Sequence, residues 1–345
     1  MPESPPAVAV SPTPFSGLTP ELILDALDGV GMRSDGRFLQ LNSYENRVFQ
    51  VFLIDGKAVV TKFYRPERWS DPQILEEHSF SAELAAEEIP VAAPLILNAD
   101  QDSPLEVALS GAPPTLGTVS IAEGSYRFAV SQRKAGRAPE LEQPATLEWI
   151  GRFIGRMHAV GARKRFAHRR SLTVAEFGWD CRDWLLAHGN IPSEVEPEWH
   201  EAVNAALTEV QRAFDRIGDL NPIRLHGDCH VGNVLWTDAG PHFVDLDDCL
   251  MGPAIQDLWM LLSGDEAAAR LQLRSLLVGY EQFMDFDDRQ FTLIEPLRTL
   301  RIVHQSAWLA KRWRDPAFPP SFPWFGTSGY WQQVAQQLRQ QVAAP

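Results

Sequence analysis

Two short stretches concentrate the side chains able to do chemistry: His226-Gly-Asp228-Cys-His-Val-Gly-Asn233 and Phe243-Val-Asp245-Leu-Asp247-Asp248. Asp228 and Asn233 stand five residues apart, and Asp245 follows twelve later. Phosphoryl transfer needs that set: a carboxylate to orient the acceptor hydroxyl and take its proton, and oxygen ligands for the hard cation that neutralises a triphosphate. The kinase template has the same order, an aspartate base, an asparagine five residues on and a second metal-binding aspartate. The expected roles are Asp228 as base, with Asn233 and Asp245 as oxygen ligands for the metal. Asp247 reads either as a supporting carboxylate or as a turn residue.

A second chemistry competes for the same residues. His226, Asp228 and His230 alternate as metal-ligand types, as in metallophosphoesterases. That architecture also needs an earlier Asp-x-His and a later Gly-Asn-His. No histidine before His226 has aspartate two residues ahead of it, and Gly232-Asn233 is followed by valine. Cys229 could be written as a nucleophile, but no step needs one, and a buried thiol is the expectation.

These loops need elements to hold them. From Leu41 the chain reads as strands: Val48 to Ile54, the turn pair Asp55-Gly56, then Ala58 to Tyr64 carrying Lys62. Ser70-Asp-Pro-Gln73 reads as a helix start, and the helix carries Glu76, Glu77, Phe80 and Leu84 and ends before Pro90. A strand lysine can pair with phosphates, and Glu77 can hold Lys62 in place. Residues 95–131 look β-rich, with a strand at Tyr126 to Ser131. Gln132 to Gly136 is a connector, with backbone placed for adenine at Gln132 to Lys134. The remainder is mainly helical, starting with Leu147 to Val160, except for loops and short strands over Leu225 to Asp248. Asp257, ahead of an apolar helical run, is expected to anchor the catalytic loop through backbone hydrogen bonds.

The fold class is therefore α+β: a tail at 1–16, a small β-rich lobe at 17–131 with one key helix, a hinge at 132–136 and a helical lobe at 137–345 holding the catalytic loop 226–233 and the metal loop 243–248. The cleft is expected near the connector.

The chain has 345 residues, 45% of them hydrophobic, and a net charge of −14. A large core is available, and an acidic chain has no general attraction to nucleic acid or anionic membrane. Three cysteines without a Cys-x-x-Cys pair argue against a disulfide framework or structural zinc. No apolar run is long enough to span a membrane, and the N-terminus does not read as a signal peptide, so a cytoplasmic protein is expected. The proline-rich tail offers Ser4 and Ser11 as accessible hydroxyls. The basic cluster Arg163-Lys-Arg165 and Arg169-Arg170 reads as a solvated loop or as a dock for an acidic peptide. The aromatic stretch Trp308 to Trp324 reads as core packing.

Longer strings carry a resemblance. Leu41-Asn-Ser-Tyr-Glu-Asn-Arg-Val, Val60-Thr-Lys-Phe-Tyr-Arg-Pro-Glu-Arg-Trp, Arg224-Leu-His-Gly-Asp-Cys-His-Val-Gly-Asn, Gly252-Pro-Ala-Ile-Gln-Asp-Leu-Trp-Met-Leu and Asp315-Pro-Ala-Phe-Pro resemble the bacterial stress response kinase A family. That family lies in the aminoglycoside-phosphotransferase and choline-kinase-like branch of protein-kinase-like enzymes. The resemblance covers about residues 20 to 331. It implies a bilobal protein-kinase-like fold and a serine/threonine protein kinase using ATP and magnesium, acting on protein hydroxyls with some autophosphorylation. It also implies Asp228 as proton acceptor, Asn233 and Asp245 as magnesium ligands, Lys62 as the phosphate-pairing lysine with Glu77 behind it, and Ser43 in the loop over ATP. A monomer is expected. The chain departs from ordinary protein kinases twice: Asn42-Ser-Tyr-Glu-Asn46 stands in place of a Gly-x-Gly-x-x-Gly loop, and Asp245-Leu-Asp247 in place of Asp-Phe-Gly. A kinase for small alcohols, such as choline, homoserine or an aminoglycoside, would share every catalytic residue. For a cationic substrate, Glu295 or Asp315 could supply acceptor-side charge. A catalytically dead kinase fold is opposed by the intact lysine, base and ligand set.

Overall fold

The computed structural model describes residues 13–343 apart from Glu123. Ser4 and Ser11, and with them most of the expected tail, lie outside the described residues. Residues 13–16 form a turn, with Phe15 buried and stacked at 6.4 Å on Tyr126, whose hydroxyl accepts from the Gly17 amide. The tail boundary drawn at residue 16 therefore falls inside folded chain.

The chain gathers into two units. Of the described residues, one holds those up to Asp71, those of 95–132 and Asp315–Ala317; the other holds Pro72–Pro94, Arg133–Arg314 and those from Phe318 on.

The first unit is a sheet with one helix. Helix α1 (Pro20–Asp28) starts from Thr19, whose side chain accepts from the Leu22 amide, with proline in the first turn. Strands β1 (Ser34–Leu41), β2 (Arg47–Leu53), β3 (Ala58–Phe63), β4 (Val107–Ser110), β5 (Leu116–Ile121) and β6 (Gly124–Gln132) pair antiparallel in the order β1-β2-β3-β6-β5-β4. Gly56, at φ +82°, makes the expected turn between β2 and β3. The core joins Leu22, Ile23 and Leu27 of α1 to Phe49, Val59, Phe63 and Phe128. Lys62 faces Val48 of β2 and Ala129 of β6, which puts it in the interior of the sheet. Strand β1 and helix α1 were not anticipated. The reason is visible in β1: it is an edge strand with Gly36 in it and no buried residue, so it carries no alternation to read.

The second unit is helical around short hairpins. Its helices are α2 (Asp71–Ala86), α3 (Pro144–Gly161), α4 (Asp180–His188), α5 (Glu196–Ile217), α6 (Ile255–Trp259), α7 (Glu266–Tyr280), α8 (Ile294–Arg312), α9 (Phe318–Ser321) and α10 (Ser328–Ala343). Strand β7 (Ile223–Leu225) pairs with β10 (Leu250–Gly252), and β8 (Val234–Thr237) with β9 (Gly240–Phe243). Helices α3 and α7 touch backbone to backbone: a Cβ on Gly151 would lie 2.0 Å from the Leu276 carbonyl, and one on Gly279 1.9 Å from that of Glu148. Trp199 of α5 meets Trp331 of α10 edge-on at 5.5 Å, and Trp308 packs on Phe318 and Phe322.

Helix α2, counted with the β-rich lobe on sequence, belongs from Pro72 onward to this helical unit. Phe80 and Leu84 join its core, and Arg224, fully buried, lies 4.5 Å over the Phe80 ring and bonds Glu83 at 2.9 Å. Conversely, Asp315–Ala317 belongs to the sheet unit although its neighbours in sequence do not.

Candidate active site

The catalytic loop leaves β7 at His226 and is held from below by one carboxylate. Asp257, on α6 and fully buried, accepts from the amides of His226 at 2.7 Å and Gly227 at 2.8 Å, and from His158 Nε2 at 3.1 Å. The anchoring role expected of Asp257 is what the geometry gives. Gly227 sits at φ +86°, and a Cβ there would lie 2.3 Å from the Asp248 carbonyl, so this position takes only glycine. Gln256 adds a bond from its amide to the Gly227 carbonyl at 3.0 Å. His226 itself bonds the Val244 carbonyl at 3.0 Å, tying the catalytic loop to the metal loop.

The tip of the loop closes on itself. The Asp228 carbonyl accepts from the His230 amide at 2.9 Å and from Asn233 Nδ2 at 2.9 Å. That second bond occupies the amide nitrogen of Asn233 and leaves its side-chain oxygen for another partner. The His230 ring takes the Gly232 amide on Nδ1 at 3.0 Å, so its proton sits on Nε2, 3.5 Å from Asp228 Oδ2. Asp228 Oδ1 accepts from Arg301 of α8 at 2.9 Å. Burial alone would push the Asp228 carboxyl up. The His230 bond and the charge of Arg301 outweigh it and hold the group well below the usual carboxylate range.

Asn233 and Asp245 flank the same end of the β8–β9 hairpin. Val234 faces Phe243, and the Val244 amide donates to the Asn233 carbonyl at 3.0 Å. Asp245 is exposed and adopts a left-handed backbone at φ 61°, ψ 61°, costly for a non-glycine residue and typical of functional sites. Two hard oxygen donors at one hairpin end fit a magnesium ion. Asp247, by contrast, is buried, and its carbonyl accepts from Arg169.

The other expected residues are spread over both units. Lys62 lies on β3 of the sheet unit, 4.9 Å over the Tyr64 ring; Glu77 is buried on α2 of the helical unit. Ser43 sits in the loop joining β1 to β2, where its hydroxyl accepts from the Asn46 amide at 3.3 Å. Arg65 fastens that loop, bonding the carbonyls of Glu45 and Tyr44 and the Asp315 carboxylate at 2.6 Å. Asp315 is thus a buried structural carboxylate, and Glu295 pairs with Arg298 at 2.6 Å; neither is an open acceptor-side charge.

The basic cluster is largely engaged within the molecule. Arg163 pairs with Glu87, Lys164 with Glu83 and Arg170 with Glu176, and Arg169 is buried on the Cys249 and Asp247 carbonyls. Glu76 accepts the amides of Ala167, His168 and Arg169. Cys181, Cys229 and Cys249 are buried free thiols, and burial pushes that of Cys229 well up. The contacts of Arg301 and His230 with Asp228 were not foreseen. Arg301 stands on a helix far along the chain, and no spacing rule connects it to the loop.

A sheet unit and a helical unit that carries Asp-x4-Asn and a hairpin aspartate define the phosphotransferases of kinase type. Comparison with known proteins agrees: the phosphotransferase enzyme family matches residues 37–293. Stress response kinase A of Salmonella choleraesuis is 43% identical over 328 residues, 95% of this chain and 94% of that protein. The protein of that name from Escherichia coli is 42% identical over 327 residues, 94% of this chain and 93% of the relative. Serine/threonine protein kinase RdoA of Salmonella typhimurium is 43% identical over 328 residues, 95% of this chain and 94% of its own length. The chain belongs to the stress response kinase A family, within the phosphotransferase enzyme family. Among solved structures, the amicoumacin kinase hAmiN in complex with AMP-PNP, Ca2+ and Ami matches with a TM-score of 0.69 at 18% identity, covering 93% of this chain and 92% of that one. A microcompartment-associated aminopropanol kinase gives 0.64 at 16%, covering 94% and 95%. The fold is α+β and kinase-like, as expected, and the protein is an ATP-dependent phosphotransferase. Among the described residues no helix is long and apolar enough to cross a membrane.

Proposed function

We propose that this kinase is a magnesium-dependent serine/threonine protein kinase of the bacterial stress response, acting in the cytoplasm as a monomer and phosphorylating itself as well as its target. The observation that carries the reading is the catalytic loop, which presents the Asp228 carboxylate on a backbone fixed by Asp257 and Asn233. The choice of a protein acceptor rests on the relative described as a serine/threonine protein kinase.

In this reading Asp228 receives the hydroxyl proton as the acceptor oxygen bonds to the γ-phosphorus and the bridging oxygen leaves with ADP. A carboxylate held strongly ionised is a poor proton sponge, so it acts first by orienting the hydroxyl and takes the proton late, as suits a loose transition state. Asn233 and Asp245 would hold magnesium, which when bound neutralises the charge on the phosphate oxygens. Lys62 would pair with phosphate, Glu77 would steady Lys62, and Ser43 would lie against the nucleotide.

The alternative, a small-molecule kinase with the same catalytic residues, is favoured by the names of the structural neighbours, an amicoumacin kinase and an aminopropanol kinase. Incubation with labelled ATP, magnesium and protein acceptors, followed by phosphoamino-acid analysis, decides between them. The expected product is phosphoserine or phosphothreonine on protein. A kcat/KM for choline, homoserine or an aminoglycoside orders of magnitude above that for any protein would replace the protein-kinase reading with the alternative.

A further inference from the structure

We propose that Arg301 makes the preferred acceptor an anionic one, a hydroxyl flanked by acidic groups, and disfavours cationic amino-alcohols and basic polypeptides. The inference rests on the reading of Asp228 as the group that meets the acceptor hydroxyl.

Arg301 projects from α8 and donates from Nη1 to Asp228 Oδ1 at 2.9 Å. Its side chain remains 43% exposed, so the guanidinium is reachable from solvent. Among the described residues Nη1 donates besides to the Met260 sulfur at 3.7 Å, and Nε and Nη2 donate to nothing. Arg298, one turn earlier on the same helix, has its own carboxylate in Glu295. Among the described residues the carboxylate that Arg301 pairs with is Asp228, the one proposed to serve the reaction.

An acceptor hydroxyl bonded to Asp228 necessarily lies within a few ångströms of this guanidinium. A positive group carried beside that hydroxyl meets Arg301, and Glu295, on the same helix as Arg301, is already paired with Arg298. A negative group beside the hydroxyl meets two nitrogens that still have hydrogens to donate. For partly exposed charges at such distances the preference amounts to about ten-fold per charge.

The experiment compares two acceptor pairs of opposite charge, dephosphorylated casein against histone and glycerate against choline, with ATP hydrolysis as the measure of transfer to water. The full-length wild type is set beside R301Q, R301K and R301E, and thermal melting confirms that each variant is folded. Wild type is expected to favour the anionic member of a pair by about ten-fold or more in kcat/KM. R301Q should lose most of that preference through KM for the anionic acceptor, with a smaller fall for histone and for water. R301K should restore it, and R301E should invert it. Wild-type preference for the cationic member, no turnover of either anionic acceptor, or an unchanged preference in R301Q and R301E overturns the proposal. So does an equal fall of casein, histone and water in R301Q, which would assign Arg301 to the transferred phosphoryl group. Separately, a D228N protein of undiminished activity would remove the reading on which the inference stands.

Discussion

The anchored base of the catalytic loop and its open tip each depend on an aspartate, and the two are treated in opposite ways. Asp257 is fully buried and accepts from two backbone amides and the inner histidine His158. Asp228 is 29% exposed and its oxygens meet side chains, Arg301 and His230, which move far more cheaply than backbone. A carboxylate enclosed by backbone donors fixes the chain, because removing it strands several buried donors at once. A carboxylate ringed by mobile side chains at the surface can exchange partners, which is what an acceptor hydroxyl requires. The contrast divides the loop into a scaffold and a working end, and substitutions at each should separate stability from rate.

The largest separation is expected at Asp228. Asn there keeps the shape and loses the charge that orients and deprotonates the acceptor, so kcat should fall by about 10²–10⁴ while the melting temperature changes little. Steady-state kinetics and a thermal melt on the same preparation check it. A D228N protein that loses stability in proportion to activity would place Asp228 with Asp257 in the scaffold.

Asp257 should show the reverse order. Asp257→Ala leaves two amides and His158 without their acceptor in a dry interior, which amounts to about 3–5 kcal/mol of stability. Denaturant unfolding should register the loss, with activity falling because the loop is no longer held. A D257A protein of native stability but no activity would give Asp257 a chemical role and erase the contrast.

The residues proposed for the working end could be read together because they stand close together in the sequence. Asp228, Asn233 and Asp245 fall within one loop and one hairpin, so spacing alone brings them together, and Asp257 could be assigned from its place before an apolar helix. The interior strands β2, β3 and β6 were legible as β-rich runs, the first two also through the Asp55-Gly56 turn between them. What escaped has a physical reason in each case. Strand β1 lies at an edge without a buried face. Arg163 and Lys164 are exposed, as a solvated loop would have them; what spacing could not show is their partners far back along the chain, Glu83 on α2 and Glu87 just past its end. Arg301 is one arginine among several on an amphipathic helix, and only the folded chain shows which of them reaches the base.

Glu76 offers the smallest and finest test, because it is a scaffold carboxylate away from the catalytic loop. It sits half-buried on α2 and accepts the successive amides of Ala167, His168 and Arg169, the last two at 2.8 Å. Those bonds hold the backbone from which Arg169 reaches the carbonyls of Cys249 and Asp247, at the end of the metal loop. Glu76→Gln keeps one oxygen acceptor but turns an amide group toward backbone donors and removes the charge that strengthens all three bonds. The expected cost is about 1–2 kcal/mol in urea unfolding, less than for Asp257 because this site is half open to water that can replace a lost partner. Activity per folded molecule should stay within about three-fold, since a backbone-serving carboxylate affects rate only through the fold. If E76Q instead kept its stability and lost most of its kcat, burial and donor type would not divide scaffold from working residues in this protein, and only rates would distinguish Asp228 from Asp257.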